Sequence, residues 1–157
     1  MKVRRVDPGL VEKELVRRES IDLAANFKAF AEAAWTIVEP GTSFIPGLHV
    51  DAICEHLQAV AEGKILKLLI NVPPRHSKSL LTSVLFNAWW WTREPQGRFL
   101  SGSYALALAT MDSVRTRRVV TSKWYMDRWP QVVIQDDQAQ KQYFANTASG
   151  QRQVTSV

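Results

Sequence analysis

The most constraining feature is the stretch from Ile65 onward, an apolar run to Val72 interrupted only by Lys67 and Asn71 and halted at Pro73-Pro74. A run of this length, closed by two residues that cannot donate a ladder hydrogen bond, reads as a buried strand. Ser77 to Trp91 follows as a largely apolar helix, and Glu94-Pro95-Gln96-Gly97 is a turn before a second strand, Arg98 to Tyr104. A helix from about Ala105 to Ser122 comes next. Strand, helix, strand, helix with short connections predicts an α/β domain with a largely parallel sheet.

Upstream the pattern is helical. Leu10, Leu15, Val16, Leu23, Phe27, Phe30, Ala34 and Ile37 recur at three- and four-residue steps, as one long helix or two, with Ser20 a candidate cap for the second. Glu39-Pro40-Gly41 ends the run, and a further amphipathic helix spans about His49 to Glu62 and stops at Gly63. A helical segment over residues 1–62 and an α/β domain over 63–157 are therefore expected. Beyond Pro130 the pattern weakens to short strands Tyr143 to Thr147 and Arg152 to Val157 joined by a turn at Ser149-Gly150.

Composition removes several classes. The 157 residues hold a single cysteine, Cys54, which excludes an internal disulfide framework and a Cys-rich zinc module. No stretch approaches the ~18 apolar residues of a membrane helix, and no apolar segment follows the basic Met1 to Arg5, so a soluble, intracellular protein with no secretory signal is expected. A formal charge of +5 favours polyanionic partners without proving any.

Val72-Pro73-Pro74-Arg75-His76-Ser77-Lys78-Ser79 sits between the strand and the helix. It fits a phosphate-binding loop imperfectly. In the usual G-x-x-x-x-G-K-[ST] pattern, inward backbone N–H groups cradle phosphates, Lys reaches the terminal groups and a hydroxyl ligates Mg²⁺. Lys78 and Ser79 occupy the last two places, but Val72 and Ser77 replace both glycines, and Ser77 must tolerate a backbone that glycine adopts freely. The preceding strand and the positive helix N-terminus favour an anion in spite of this.

Further pieces carry a likeness: Phe44-Ile45-Pro46-Gly47-Leu48-His49, His56-Leu57-Gln58-Ala59-Val60 with Gly63, Leu69 to Ser79, Ser101-Gly102-Ser103-Tyr104, Ser122-Lys123-Trp124-Tyr125 with Arg128-Trp129, and Thr147 to Arg152. In order and spacing, from about Phe27 to Val157, the chain resembles the N-terminal ATPase region of the large terminase subunit of tailed bacteriophages. The resemblance implies a P-loop NTPase domain of the RecA/ASCE kind, here incomplete, in a motor that hydrolyses ATP with Mg²⁺ to drive double-stranded DNA into a procapsid. It implies a small terminase subunit and a portal protein as partners, no membrane, and the host cytoplasm as the setting for a phage or prophage product. Carried across, Pro74, Arg75, His76, Ser77, Lys78 and Ser79 would bind the nucleotide. Lys78 would neutralise the β and γ phosphates, Arg75 would touch or sense the γ-phosphate, and Ser79 would bind Mg²⁺.

Such an ATPase also needs an acidic Walker B strand. Val132-Val133-Ile134-Gln135-Asp136-Asp137 is the local candidate, but its apolar run is short and Gln135 interrupts it, so a solvated loop is the expectation. By resemblance the acidic strand and a C-terminal nuclease domain lie after Val157. A truncated chain of this kind is expected to expose apolar strand edges, to aggregate or to be partly ordered after about Pro130, and to turn over ATP poorly. A non-catalytic remnant that binds DNA or a packaging partner, and another DNA-dependent P-loop ATPase, are the competing readings.

Other residues divide between function and packing. Arg115, Arg117, Arg118, Lys123 and Arg128 lie near Trp124, Tyr125 and Trp129, a pattern open to DNA contact or to a solvated face with core aromatics. Trp89, Trp90 and Trp91 cannot all face one way on a helix, so packing with at least one ring near an interface or neighbouring segment is expected. His49 and His56 lie seven residues apart and could share a helix face, but no third metal ligand accompanies them. By the resemblance, His49 and the Leu57-Gln58 region precede the loop where related motors contact the adenine, the alternative being a structural role.

Overall fold

The computed structural model describes residues 7–135 and 140–156. Helix α1 (Pro8–Ala25) starts where the Asp7 carboxylate accepts the Gly9 N–H at 3.0 Å and Pro8 presets the first turn. It ends at Asn26, whose extended backbone separates it from α2 (Phe27–Val38) and whose side-chain oxygen caps α2 by accepting the Ala29 N–H at 3.0 Å. The break therefore falls six residues after the predicted cap. Ser20 stays within α1 because its hydroxyl donates to the Arg17 carbonyl at 2.7 Å. Leu10 and Leu15, which belong to the helical repeat of apolar residues, are exposed on α1.

Helix α3 (Leu48–Ala61) is tied to the α1–α2 junction by Gln58, which accepts the Phe27 N–H at 2.9 Å and donates to the Ala25 carbonyl at 2.8 Å. Gly63 then reverses the chain at φ 72°, a left-handed backbone open to glycine without steric cost. After the loop at 73–77 the chain is helical. A π-helical turn (Leu80–Leu85) runs directly into α4 (Phe86–Arg93), followed by β1 (Arg98–Ser103), α5 (Leu106–Val120) and α6 (Lys123–Arg128). A hairpin of β2 (Tyr143–Ala145) and β3 (Gln151–Ser156) closes the described chain.

The protein is α/β with a small mixed sheet, not the largely parallel one predicted. In the order β1-β3-β2, β3 runs parallel to β1, with Arg98 opposite Gln151 and Ser103 opposite Ser156, and antiparallel to β2. The β2–β3 turn depends on buried Asn146, which accepts the Ala148 and Gly150 N–H groups at 2.9 Å and donates to the Pro95 carbonyl at 2.7 Å. A side chain at Gly150 would collide with that same carbonyl.

The predicted strand Ile65 to Val72 is not in this sheet. Residues 66–73 run without helix or strand, and no backbone hydrogen bond joins them to another segment among the described residues. A strand-like alternation survives over 68–72, where Leu68, Ile70 and Val72 pack on the core and Leu69 is 84% exposed, but it stops before Leu66, which is 90% exposed. The inward face is partly buried, and among the described residues neither backbone edge has a partner.

One core unites the helices of 8–61 with the rest. Phe27, Phe30, Trp35, Leu81, Leu85, Trp89, Val119, Tyr125 and Phe144 belong to a single buried cluster. The three tryptophans pack as the turn angle requires. Trp89 and Trp91 are fully buried and donate to the Leu23 carbonyl (3.0 Å) and the Gly97 carbonyl (2.8 Å), while Trp90 is half-buried between Phe86 and Phe99. Of the short acidic candidate, Val132 is buried and Ile134 bridges to Asn146, but Asp136 and Asp137 lie outside the described residues.

Candidate anion-binding cleft

The loop after Val72 gets its shape from two residues in left-handed backbone, Arg75 (φ 67°) and Ser77 (φ 59°). Neither is glycine, so each conformation costs on the order of 1–2 kcal/mol that the surroundings must offset. His76 helps: its Nδ1–H is shared between the Pro73 carbonyl (3.2 Å) and the Pro74 carbonyl (2.9 Å), and its ring stands edge-on to His49 with centroids 5.2 Å apart. The chain turns helical at Lys78, Leu81 N–H donates to the Ser77 carbonyl at 3.0 Å, and Thr82 Oγ1 donates to the Lys78 carbonyl at 2.9 Å. The first helical turn thus carries Lys78 and Ser79 beside amides that have no intrahelical acceptor.

Pro74, Arg75, His76, Ser77, Lys78 and Ser79 all line one open cleft of about 870 Å³. The opposite wall comes from the end of α2 and from α5: Trp35, Glu39, Thr42 and Arg115. Trp35 is held by donating its indole N–H to the Thr42 carbonyl at 3.1 Å. Arg115 reaches the Glu39 carboxylate at 3.4 Å and that of Asp112, one turn back on α5, at 3.9 Å. Three cations and one carboxylate therefore line the cleft at a helix N-terminus, an electrostatic setting that attracts a multiply charged anion.

Beneath the α5 wall, Arg152 of β3 is fully buried, and among the described residues none of its guanidinium nitrogens has a hydrogen-bond partner. Burial lowers its pKa to about 10, with Asp112 opposing the shift. Burial likewise raises Asp112, against the pull of Arg152 and Arg115. On α3, burial pushes the Cys54 thiol up to about 11 despite nearby Lys28.

The basic and aromatic residues of 115–129 do not form a common face. Tyr125 and Trp129 are buried, with the Tyr125 hydroxyl donating to the Ala88 carbonyl at 2.8 Å. Arg128 lies over the Trp124 ring and donates to Glu19 at 2.7 Å, Lys123 pairs with Asp127, and Arg115 turns to the cleft. His56 donates from Nδ1 to the Ala52 carbonyl at 2.7 Å, and among the described residues no group of three His, Cys, Asp or Glu side chains is placed to hold a metal.

Sequence reasoning found the loop but missed Trp35, Glu39 and Thr42, and it assigned Arg115 elsewhere. No local pattern marks them as a wall, because only the packing of α2 against α5 brings Glu39 and Arg115 together. No protein-family model, curated protein or solved structure matches the chain.

Proposed function

We propose that this chain is an ATP-binding portion of a phage DNA-packaging motor, the N-terminal ATPase region of a large terminase subunit. The observation carrying this reading is Ser77 at φ 59°, immediately before Lys78 and Ser79 enter the helix. Serine here takes the left-handed backbone for which a phosphate loop ordinarily uses glycine, so the missing glycine does not disqualify the motif.

The residues present fit a magnesium nucleotide. The ammonium of Lys78 would face the β and γ phosphates, the hydroxyl of Ser79 is a hard oxygen ligand that would suit Mg²⁺, and the guanidinium of Arg75 would suit a phosphate fork. The bound nucleotide supplies the phosphoryl group whose transfer releases the energy for DNA movement. Double-stranded DNA, a small terminase subunit and a portal protein are the partners in this reading, in the cytoplasm of an infected or lysogenic host.

A second reading, nucleotide binding without efficient turnover, is favoured by Glu39. It is the single carboxylate lining the cleft among the described residues, and Arg115 engages it. Isothermal titration of Mg-ATP against the wild-type chain and Lys78→Ala, with phosphate release measured in parallel, tests both. Binding lost in Lys78→Ala supports the site, and turnover by the wild type selects the motor reading. No binding by a folded wild-type chain refutes both.

A further inference from the structure

The Arg115–Glu39 pair is built in a way the loop alone does not require. Glu39 caps the C-terminal end of α2, where its N–H donates to the Trp35 carbonyl at 2.8 Å. A carboxylate there faces the negative end of the helix dipole, an unfavourable placement unless a cation lies close. Arg115 is that cation. Its contacts are long, however: 3.4 Å to Glu39 and 3.9 Å to Asp112, against the ~2.7–2.9 Å of a well-made charge-assisted hydrogen bond. Each side chain of the Arg115–Glu39 pair is about one-third exposed, so water weakens the attraction further. A planar fork of donors is thus loosely held between two carboxylates, in the wall facing Arg75 and Lys78.

We infer that Arg115 is a third polyphosphate-binding residue of this cleft and that Glu39 is its resting partner, which an incoming anion displaces. This rests on the nucleotide-binding reading above and extends it to the opposite wall. A polyphosphate offers the guanidinium several oxygens at bidentate spacing and concentrates more charge than one carboxylate, so exchange favours the ligand. Glu39 repels the same ligand. Arg115 and Glu39 therefore act on affinity with opposite signs, and part of the Glu39 effect passes through Arg115.

The test is isothermal titration of inorganic tripolyphosphate and of Mg-ATP against the wild type, Lys78→Ala, Arg115→Gln, Arg115→Lys, Glu39→Gln and the Arg115→Gln/Glu39→Gln double variant, with circular dichroism confirming the fold of each. Arg115→Gln is expected to weaken both ligands about tenfold, the scale of losing one charged hydrogen bond. Arg115→Lys should recover part of the loss, because it keeps the charge without the fork. Glu39→Gln should tighten both ligands several-fold, roughly half a decade for ~0.7 kcal/mol. The double variant should gain less from the Glu39 change than the wild type does.

A folded Arg115→Gln chain with wild-type affinity, or a Glu39→Gln chain that binds more weakly, overturns the inference while leaving the loop as a binding site. Glu39→Gln keeps the test decisive if Arg115→Gln does not fold. Loss of all binding in the wild type overturns the underlying reading as well, so the two failures are distinct.

Discussion

The left-handed backbone of Ser77 delivers Lys78 into the first turn of the helix that begins at the cleft. A β-carbon crowds the following carbonyl in that conformation, at a cost of ~1–2 kcal/mol that glycine avoids. Glycine in turn loses more chain entropy on folding, roughly 0.5–1 kcal/mol. Ser77→Gly should therefore stabilise the protein by ~0.5–1 kcal/mol, about 2–3 °C in thermal denaturation for a chain this size, while retaining ligand affinity. Ser77→Val should lower the melting temperature, because a β-branched residue is least tolerant of positive φ.

Arg152 is buried with no hydrogen-bond partner for its guanidinium nitrogens among the described residues. Removing the charge relieves a desolvation cost that Asp112 offsets only in part. Replacing the two together, Arg152→Met with Asp112→Leu, should raise stability by ~1–3 kcal/mol in urea unfolding, whereas Arg152→Met alone leaves the Asp112 carboxyl without that cation. A clear loss of stability in the double variant would show that the pair is worth more buried than apolar side chains in its place.

Cys54 gives a stability dependence in alkaline solution. Its thiol titrates at about 11 in the folded protein against an ordinary 9.0, so between those pH values the unfolded chain has released the proton and the native chain retains it. The unfolded state then binds fewer protons, and stability falls as pH rises from 9 to 11, by about 2–3 kcal/mol in total. Cys54→Ala lacks this loss. Urea midpoints of the two proteins, compared at pH 8, 9.5 and 11, should converge or cross as the wild type weakens.

Leu66 and Leu69 project into solvent from a segment whose backbone edges lack partners among the described residues. Such an edge templates pairing with another chain. Leu66→Lys with Leu69→Lys should reduce self-association in light scattering and shift stability by no more than about 0.5 kcal/mol, as is usual for surface changes. Leu68→Lys, on the packed face, should instead destabilise the fold.

Most of the local structure was legible in the residues themselves. Gly63 ends α3, the hairpin turn falls at Ser149-Gly150, and Pro73 to Ser77 forms the bend before a helix, because each depends on neighbours a few positions away. The α1–α2 break was misplaced because Ser20 and Asn26 both suit a cap, and the choice between them came from the docking of Gln58 at the Asn26 junction. The apolar run Ile65 to Val72 was likewise visible, but a strand exists only when another backbone supplies its hydrogen bonds, and the run says nothing about that partner.

The sequence by itself determined the apolar periods, the turns and the loop that carries Arg75, Lys78 and Ser79, since these follow from residue volume, polarity and backbone freedom at short range. Only the tertiary structure decided that Glu39 and Arg115 form the facing wall, that β1 pairs with β3 rather than with 66–72, and that Arg152 is buried without a hydrogen-bond partner among the described residues. Those are long-range outcomes. They depend on how whole elements pack to bury a shared core, and no local pattern of side chains specifies which distant charges or edges that packing brings together.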